Sequence, residues 1–231
     1  MSNAAAAPPT RKGARMKRNP ESGKRRVLRR AHVERLMNYY QLLQGLRIQE
    51  HIETISSSRI ADMIDLDDTL VRKDLAAIGV RGCPRVGYAV KVVVDAIYKS
   101  LGFEEPRRAV LIGGGRLGGA IAAYPGFAKY GLTIVAIFDV DPAKIGMNVG
   151  EHVVRPLDEL AGVVAQHKAE VAILTLPADF AQVAADNAVA AGIRALWNFA
   201  PTWIAAPEGV RIRHEHLSTG FAELAYHLKQ G

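Results

Sequence analysis

The 231-residue sequence contains one cysteine, Cys83, and few aromatic residues, which make up 6% of the chain. A single cysteine forms no internal disulfide and supplies no paired thiolates for a structural zinc site, and this agrees with a reducing compartment. No apolar run approaches the ~20 residues that a membrane helix needs; residues 133–138 are one of the longest. We therefore expect a cytoplasmic protein with no membrane segment and no metal.

Positive charge is concentrated at the N-terminus. The formal net charge is +7, and residues 11–30 contain ten Lys or Arg residues and one acid, Glu21. The 20 basic and 22 acidic residues elsewhere nearly balance. We expect residues 1–30 to form a disordered basic tail. Such a tail either attracts phosphate groups without sequence preference or only increases solubility.

Three helices are predicted after this tail. Apolar residues recur at helical spacing across residues 32–46. A second, short helix follows the serines at 56–58, whose hydroxyl groups suit an N-cap. A third helix begins at a cap formed by Asp67 or Asp68, and Gly79 ends it.

The third helix carries a polar face. Thr69 and Lys73 lie opposite its apolar stripe, and Arg72 lies at the flank. Such a face either enters a DNA major groove or is an ordinary solvated surface. Residues 80–88 then form a turn-rich basic segment that predicts a β-hairpin or wing, and residues 89–101 predict a further helix.

The second part of the chain alternates apolar strands with helices. The predicted strands are 109–112, 133–138, 171–176 and 195–199, and the predicted helices are 117–123, 178–191 and 217–229. This alternation is typical of an α/β fold with a parallel sheet that helices cover on both faces.

A glycine-rich loop follows the first of these strands. Gly113, Gly115 and Gly118 form a G-x-G-x-x-G motif, which lets backbone amides approach a pyrophosphate closely. Asp139 ends the next strand 21 residues after Gly118, where a carboxylate accepts hydrogen bonds from adenosine ribose hydroxyls. An acid there repels a 2′-phosphate, so we expect NAD(H) rather than its phosphorylated form. The alternative is that Asp139 and Asp141 only form a turn and a helix cap.

The sequence lacks the usual catalytic groups of a dehydrogenase. Such an enzyme needs a group that exchanges a proton with the substrate at the hydride-transfer centre. None of the seven tyrosines is followed by a lysine four positions later, so the Tyr-x-x-x-Lys pair of short-chain dehydrogenases is absent. His214 and His216 would point the same way on a strand, but they are more simply surface histidines. We expect no catalytic residue.

Several segments together resemble the Rex family of redox-sensing transcriptional repressors. They are, in chain order, Val-Arg-Lys-Asp-Leu (71–75), Val-Gly-Tyr (86–88), the glycine loop, Tyr-Pro-Gly-Phe (124–127), Phe-Asp-Val-Asp-Pro (138–142), Ile-Leu-Thr-Leu-Pro-Ala (173–178), Asn-Phe-Ala-Pro (198–201) and Tyr-His-Leu (226–228). The resemblance covers residues 35–228.

The resemblance implies a bacterial homodimer with three folded parts. These are a winged-helix DNA-binding domain at residues 31–102, a Rossmann-type NAD(H)-binding domain at 103–216, and a C-terminal helix at 217–231 that is exchanged between subunits. In this family NADH releases the protein from operator DNA, whereas NAD+ competes for the same site and permits repression. The resemblance thus implies a non-enzymatic repressor that senses the NADH/NAD+ ratio.

The resemblance also assigns residue roles. The expected cofactor-binding residues are Gly113, Gly114, Gly115, Arg116, Leu117, Gly118, Tyr124, Asp139, Thr175 and Pro177, with the loop 198–201 beside them. The expected DNA-binding residues are Ser58, Thr69, Arg72, Lys73, Arg81, Arg85 and Tyr88. Arginine can read guanine edges with two hydrogen bonds, whereas lysine mainly neutralises phosphates.

The chain departs from the family pattern in three places. Residues 83–85 are Cys-Pro-Arg where the family usually has Lys-Arg-Gly, and Ala77 and Ile78 replace an aromatic pair. We expect these changes to alter the wing and the operator preference. His216 replaces a family aspartate near the exchanged helix, and a histidine there can make the response depend on pH between about 5 and 8.

Two other functions stay open from the residues alone. One is a small NAD-dependent oxidoreductase whose N-terminal helices serve dimerisation, and turnover of NADH with a carbonyl substrate would indicate it. The other is a regulator with the same fold that reads another nucleotide, which tight binding of a different adenine ligand would indicate.

Overall fold

The computed structural model describes residues 28–230, which form a helical N-terminal unit and a larger sheet-containing unit. Most of the predicted basic tail, residues 1–27, lies outside the described residues. The N-terminal unit consists of α1 (Arg30–Gln49), β1 (Thr54–Ile55), α2 (Ser57–Met63), α3 (Asp68–Ala77), β2 (Tyr88–Ala89) and α4 (Val90–Ser100).

The larger unit continues from residue 107 to the last helix. Its elements are β3 (Arg107–Ile112), α5 (Arg116–Ala122), a 3₁₀ helix (Pro125–Tyr130), β4 (Leu132–Asp139), β5 (Asn148–Val149), β6 (His152–Pro156), a 3₁₀ turn (Leu157–Glu159), α6 (Leu160–His167), β7 (Val171–Leu174), α7 (Ala178–Ala190), β8 (Ala195–Asn198), β9 (Arg211–His214) and α8 (Leu217–Gln230). All the predicted strands and helices of this part are present, although their ends differ by a few residues.

Local capping explains where the short N-terminal helices begin. The Ser56 hydroxyl accepts a hydrogen bond from the Arg59 amide at 3.1 Å, and the Asp67 carboxylate accepts one from the Leu70 amide at 3.0 Å. Each side chain satisfies a backbone donor that the first helical turn leaves free. Gly79 lies two residues after the end of α3 and has φ +85°, a left-handed conformation that stops the helix from continuing. The predicted caps are confirmed, and Asp67 rather than Asp68 is the cap of α3.

The predicted wing is a minimal hairpin. The amides of Cys83 and Gly87 each donate to the carbonyl of the other, at 2.7 and 2.9 Å. The strand that follows, β2, pairs with β1 rather than within the wing, with Ile55 opposite Tyr88. Gly87 is required there because a Cβ would overlap with the Ile55 carbonyl. The sequence did not predict β1, since two residues show no alternation.

A seven-stranded sheet organises the larger unit. The strand order is β5-β6-β4-β3-β7-β8-β9, and every pair is parallel except β5 with β6. The central strand β3 is completely buried from Ala109 to Ile112, as expected for a strand covered on both faces. The chain runs from β3 to β4 on one side and later to β7 on the other. This reversal creates a crevice at the carboxyl ends of β3 and β7, where ligands bind in open α/β sheets.

Aromatic side chains join the two units. Tyr40 of α1 and Tyr98 of α4 pack around Phe103, which in turn contacts Tyr130 of the larger unit with a centroid distance of 5.0 Å. Such aromatic pairs add to the stabilisation that apolar burial provides.

The described residues contain no transmembrane signal. Across residues 28–230, no helix is long and apolar enough to cross a membrane.

Candidate functional site

A cavity of about 620 Å³ opens at the carboxyl ends of the central strands. Its volume is within the range of ~300–1,000 Å³ that small-ligand pockets occupy. The lining residues are Gly113, Gly115, Leu117, Asp139, Val140, Asp141, Lys144, Thr175, Leu176, Pro177, Phe180, Phe199 and Pro201. The cavity therefore lies where the strand order reverses, and most of its lining comes from loops that follow strands.

The glycine loop is held by hydrogen bonds and by the absence of side chains. The Gly113 amide donates to the Phe138 carbonyl at 2.7 Å, and the Thr175 hydroxyl donates to the Gly113 carbonyl at 2.8 Å. Gly113 has φ +115°, and a Cβ there would lie 2.7 Å from the Thr175 carbonyl oxygen. A Cβ on Gly118 would overlap with the Gly113 carbonyl oxygen. Both positions therefore require glycine.

Gly115, unlike Gly113 and Gly118, has free space beside its Cα. No atom lies within 4 Å of the place where its Cβ would be, and it directly precedes α5 at the rim of the cavity. Backbone amides at this point are open to a ligand from the cavity side. An anionic pyrophosphate fits this cradle, because close approach to the backbone is what the missing side chains permit.

Asp139 is a buried charged residue in the lining of the cavity. Its buried carboxylate accepts hydrogen bonds from the Gly114 amide at 2.8 Å and the Asp141 amide at 2.9 Å. The Lys144 ammonium lies 3.1 Å away. Burial alone raises the pKa of the Asp139 carboxyl, but the hydrogen bonds from Asp141, Lys144 and Gly114 more than offset it, so the pKa lies below its ordinary value. Asp139 is therefore ionised at neutral pH, and its oxygens are of the kind that can accept hydrogen bonds from hydroxyl groups.

The structure brings together six of the ten predicted cofactor residues as lining: Gly113, Gly115, Leu117, Asp139, Thr175 and Pro177. Gly114 and Gly118 belong to the glycine loop but do not line the cavity. Arg116 and Tyr124 are exposed and do not line the cavity. The Tyr124 ring instead packs edge-on against Phe127 at 5.0 Å, so the structure does not place it where the sequence analysis did.

Five lining residues were not predicted to bind the cofactor: Val140, Asp141, Lys144, Leu176 and Phe180. Lys144 follows Asp139 by five positions, and the turn at Asp141 carries its side chain back to both carboxylates. Phe180 lies in the first turn of α7 and is half exposed. Lys144 could have been predicted from the sequence, because a cationic side chain in the turn after a strand that ends in an acid can reach that acid. Nothing in the alanine-rich pattern of α7 indicated Phe180.

The loop after β8 closes one side of the cavity through Asn198. Asn198 is completely buried. Its side-chain oxygen accepts from the Ala200 amide at 3.0 Å, and its side-chain nitrogen donates to the Thr202 carbonyl at 2.8 Å. These bonds fix the course of loop 198–202, which carries Phe199 and Pro201 into the lining.

The second candidate surface is the outer face of α3. Thr69, Arg72 and Lys73 are all exposed, as the helical periodicity predicts. Arg72 forms an ion pair with Asp68 at 2.8 Å, and it also donates to the Thr69 hydroxyl at 3.1 Å. Ser58 in α2, and Arg81 and Arg85 in the wing, are exposed as well. This surface is basic and polar, with the composition that binds a phosphate backbone.

A buried ion pair fixes α3 against α1. Asp74 accepts two hydrogen bonds from Arg35, at 2.6 and 2.9 Å, and one from the Tyr39 hydroxyl at 2.9 Å. His32 lies 3.5 Å from the same carboxylate. Since Asp74 directly follows Lys73, this network sets how α3 presents its outer face.

Tyr88 has a different environment from the one expected. It is 7% exposed, and its ring packs over Gly82 as part of the N-terminal core. Contact between Tyr88 and DNA stays a prediction, and within the protein its ring is part of the N-terminal core. The residue anchors the wing from inside, because its strand pairs with β1 and turns its side chain inward.

An ion pair also crosses between the two units. Arg213 in β9 contacts Glu34 of α1 at 2.6 Å and Glu215 at 2.6 Å. Arg213 thus links the helix that holds α3 to the strand that leads into α8.

Two family models match this chain, one in the larger unit and one in the N-terminal unit. A family model described as "CoA binding domain" matches residues 104–202, and one described as "Putative DNA-binding protein N-terminus" matches residues 30–76. The redox-sensing transcriptional repressor Rex of Treponema denticola is 42% identical over 87% of this chain and 95% of its own length. Rex of Carboxydothermus hydrogenoformans is 38% identical over 87% and 96%.

Solved structures give the same result. The chain is similar to RSP, a Rex-family repressor, in a crystal structure with beta-NAD+ and operator DNA, with a TM-score of 0.82, 31% identity, and coverage of 89% of this chain and 94% of RSP. The crystal structure of RSP with beta-NADH gives a TM-score of 0.81 at 31% identity, covering 89% and 96%. With relatives of this identity over nearly its whole described length, and with the nucleotide cavity and basic α3 surface both present, the chain belongs to the Rex family of redox-sensing transcriptional repressors.

Proposed function

We propose that this protein is a DNA-binding transcriptional repressor that senses the NADH/NAD+ ratio, and that NADH binding in the cavity releases it from operator DNA. One observation carries the proposal: a cavity at the glycine loop and an exposed polar and basic helix face in the N-terminal unit occur in the same chain. The Rex relatives are named as redox-sensing repressors, and RSP is crystallised with NAD+, NADH and operator DNA. The protein acts in the cytoplasm, where its DNA is.

The dinucleotide is held by three parts of the cavity. Its pyrophosphate lies over the backbone of the glycine loop from Gly113 to Gly118, and Asp139 accepts hydrogen bonds from the adenosine ribose. Thr175, Pro177 and the loop 198–201 cover the remaining side. The buried carboxylate of Asp139 supports NAD(H) over the 2′-phosphorylated form, because two anions would then meet.

The DNA contacts come from α3 and the wing. Arg72 and Lys73 enter the major groove, with Thr69 and Ser58 beside them, and the exposed arginines of the wing contact the phosphate backbone. Arg72 exchanges its intramolecular ion pair with Asp68 for a base or phosphate contact.

The proposed domain limits are those that the family resemblance implies. Residues 31–102 form the winged helix, residues 103–216 the Rossmann-type domain, and residues 217–231 a helix exchanged between the subunits of a homodimer. The basic tail, residues 1–30, adds phosphate affinity. Exchange is supported by α8, whose side chains Phe221, Leu224 and Leu228 share one face and are 63–81% exposed. A second copy covers such a face.

Release by NADH requires the two subunits to move. NADH favours a closed dimer in which the two α3 helices no longer match the spacing of the operator half-sites. The alternative function, a small oxidoreductase, has less support, because the relatives of this chain are named as transcriptional repressors.

Fluorescence anisotropy of a labelled DNA fragment from the protein's own upstream region tests the proposal, at fixed salt. We expect binding in the absence of dinucleotide or with NAD+, and release by micromolar NADH. Tight binding that neither dinucleotide changes would indicate a repressor with another ligand. No binding to several upstream fragments, together with NADH oxidation by a carbonyl substrate, would support the enzyme.

A further inference from the structure

His214 contacts the buried amide that holds the cavity loop in place. It is the last residue of β9 and lies opposite Asn198 in the pairing of β8 with β9. The Nδ1 atom of its imidazole lies 3.1 Å from the side-chain nitrogen of Asn198. His214 is thus part of a hydrogen-bond network around Asn198, whose other members are backbone groups of loop 198–202.

The direction of this hydrogen bond is determined by the rest of the network. The Ala200 amide can only donate, and it contacts the side-chain oxygen of Asn198 at 3.0 Å, so the Asn198 nitrogen faces the other way. That nitrogen carries two hydrogens. One is donated to the Thr202 carbonyl at 2.8 Å, and the other points to His214. His214 Nδ1 must therefore accept, which requires that it carries no proton.

A protonated imidazole cannot serve here. In the charged form both ring nitrogens carry hydrogen and neither accepts, so two N–H groups would face each other at the Asn198 contact. Turning the Asn198 amide over would instead break its bond from the Ala200 amide. Either change displaces loop 198–202, which carries Phe199 and Pro201 of the cavity lining.

The surroundings of His214 also favour the neutral form. The rings of Trp203 and His216 lie 4.4 and 6.0 Å away, and the two histidine rings are parallel. Burial, the neighbouring His216 and the charge of Arg30 in α1 together lower the pKa of His214 below its ordinary value.

The other charged groups near His214 nearly cancel. On its own strand Arg213 is paired with Glu215 at 2.6 Å, and across from it Arg30 is paired with Glu34 at 3.0 Å. No carboxylate in the described part of the chain is bonded to the His214 ring, so no ion pair there stabilises an imidazolium.

We propose that His214 is a proton-sensitive positioning residue for the dinucleotide cavity: only its neutral imidazole holds loop 198–202 in the binding conformation, so acidification weakens dinucleotide binding. This inference rests on the proposed function. Dinucleotide affinity is constant above the pKa of His214 and falls by at most about tenfold per pH unit below it, since one proton is involved. Acid therefore keeps the repressor on DNA at NADH levels that release it at neutral pH.

Calorimetric titration of the full chain with NAD+ from pH 5.5 to 8.0 tests this, because NAD+, unlike NADH, is stable in mild acid. In the His214→Asn variant, the amide oxygen takes the place of Nδ1 and does not titrate. We expect the wild type to lose affinity only below about pH 6.5 and His214→Asn to keep its affinity at every pH. His214→Leu leaves the Asn198 N–H without an acceptor, so it binds weakly at every pH.

The control is His216→Phe, which removes the neighbouring titratable group and leaves the His214 contact. It keeps the pH dependence, with its midpoint moved to higher pH because a repelling charge is gone. A flat wild-type profile, a His214→Asn profile as steep as the wild type, or a flat His216→Phe profile would each overturn the inference.

NMR of the histidine side-chain nitrogens separates this inference from the proposed function. We expect the His214 signal to show a proton on Nε2 and none on Nδ1 at pH 7.5. A proton on Nδ1 refutes the inference even where NAD+ binds. An unprotonated Nδ1 together with no NAD+ binding at pH 7.5 would instead refute the proposed function.

Discussion

Replacing Asp74 by asparagine tests how the outer face of α3 is held. The carboxylate is 4% exposed and accepts three hydrogen bonds from Arg35 and Tyr39. Asparagine keeps the volume but removes the charge, and one of its atoms becomes a donor facing the guanidinium. The variant therefore leaves a partly buried cation without its partner.

The expected loss of stability follows from that burial. Breaking a buried ion pair costs about 3–5 kcal/mol. The side chain of Arg35 is 24% exposed, so water solvates part of the freed charge and we expect the lower end, about 3 kcal/mol. The exposed pair of Asp95 with Lys91 provides the control, since its side chains are 57% and 77% exposed. Asp95→Asn should cost at most about 1 kcal/mol.

The pH dependence has a definite sign. Burial raises the pKa of Asp74, but the hydrogen bonds from Arg35 and Tyr39 and the charge of His32 more than offset it, so the folded pKa lies below the ordinary value. The stabilisation is then fully present above the unfolded pKa of about 4 and is lost as pH falls through the folded pKa. The difference between wild type and Asp74→Asn should shrink below about pH 4.

Urea unfolding followed by two probes measures this effect. Both tryptophans, Trp197 and Trp203, belong to the larger unit, so their fluorescence reports that unit, whereas circular dichroism also reports the helices of the N-terminal unit. We expect Asp74→Asn to lower the midpoint of the dichroism transition and leave the fluorescence transition nearly unchanged. Equal stability of Asp74→Asn and Asp95→Asn would refute the reasoning.

Three further outcomes are expected. Gly118→Ala should abolish dinucleotide binding, measured by calorimetry, because the new Cβ overlaps with a carbonyl oxygen of the glycine loop. The control Gly119→Ala should bind normally, because its Cβ would have no neighbour closer than 3.4 Å. Equal binding by both variants would contradict the loop geometry. Asp139→Asn should weaken NADH binding by about 1.5–3 kcal/mol, the value of a hydrogen bond to a charged group, and unchanged affinity would exclude it as a ribose acceptor. A double-mutant cycle on Glu34 and Arg213, whose side chains are 49% and 41% exposed, should give a coupling of about 0.2–1 kcal/mol in stability that 1 M salt removes, and a coupling insensitive to salt would show that charge is not its origin.

Local features of the fold were predictable because their causes are local. The strand before the glycine loop, the cap at Asp67 and the end of α3 at Gly79 each depend on residues within about one turn or strand of one another. The acid at the end of β4 follows from the same motif that gives the loop. For these elements the sequence analysis and the structure agree.

The edges of the sheet were harder to predict. The strands β5, β6 and β9 are short or mixed in polarity, and α6 follows a 3₁₀ turn, so none shows a clear period. β5 and β9 are the two edge strands, and β6 pairs with β5 over only two positions. The burial of Tyr88 was not predicted for a related reason: it depends on pairing with β1, a two-residue strand that sequence alone did not indicate.

The sequence by itself determined the α/β class, the glycine loop with its acid, the exposed face of α3 and the resemblance to the Rex family. Only the tertiary structure placed Arg35 and Tyr39 on Asp74, which are 39 and 35 positions away, and His214 on Asn198, 16 positions away. Periodicity and capping report interactions within one element. Contacts between elements depend on helix packing and strand register, which a single sequence does not display.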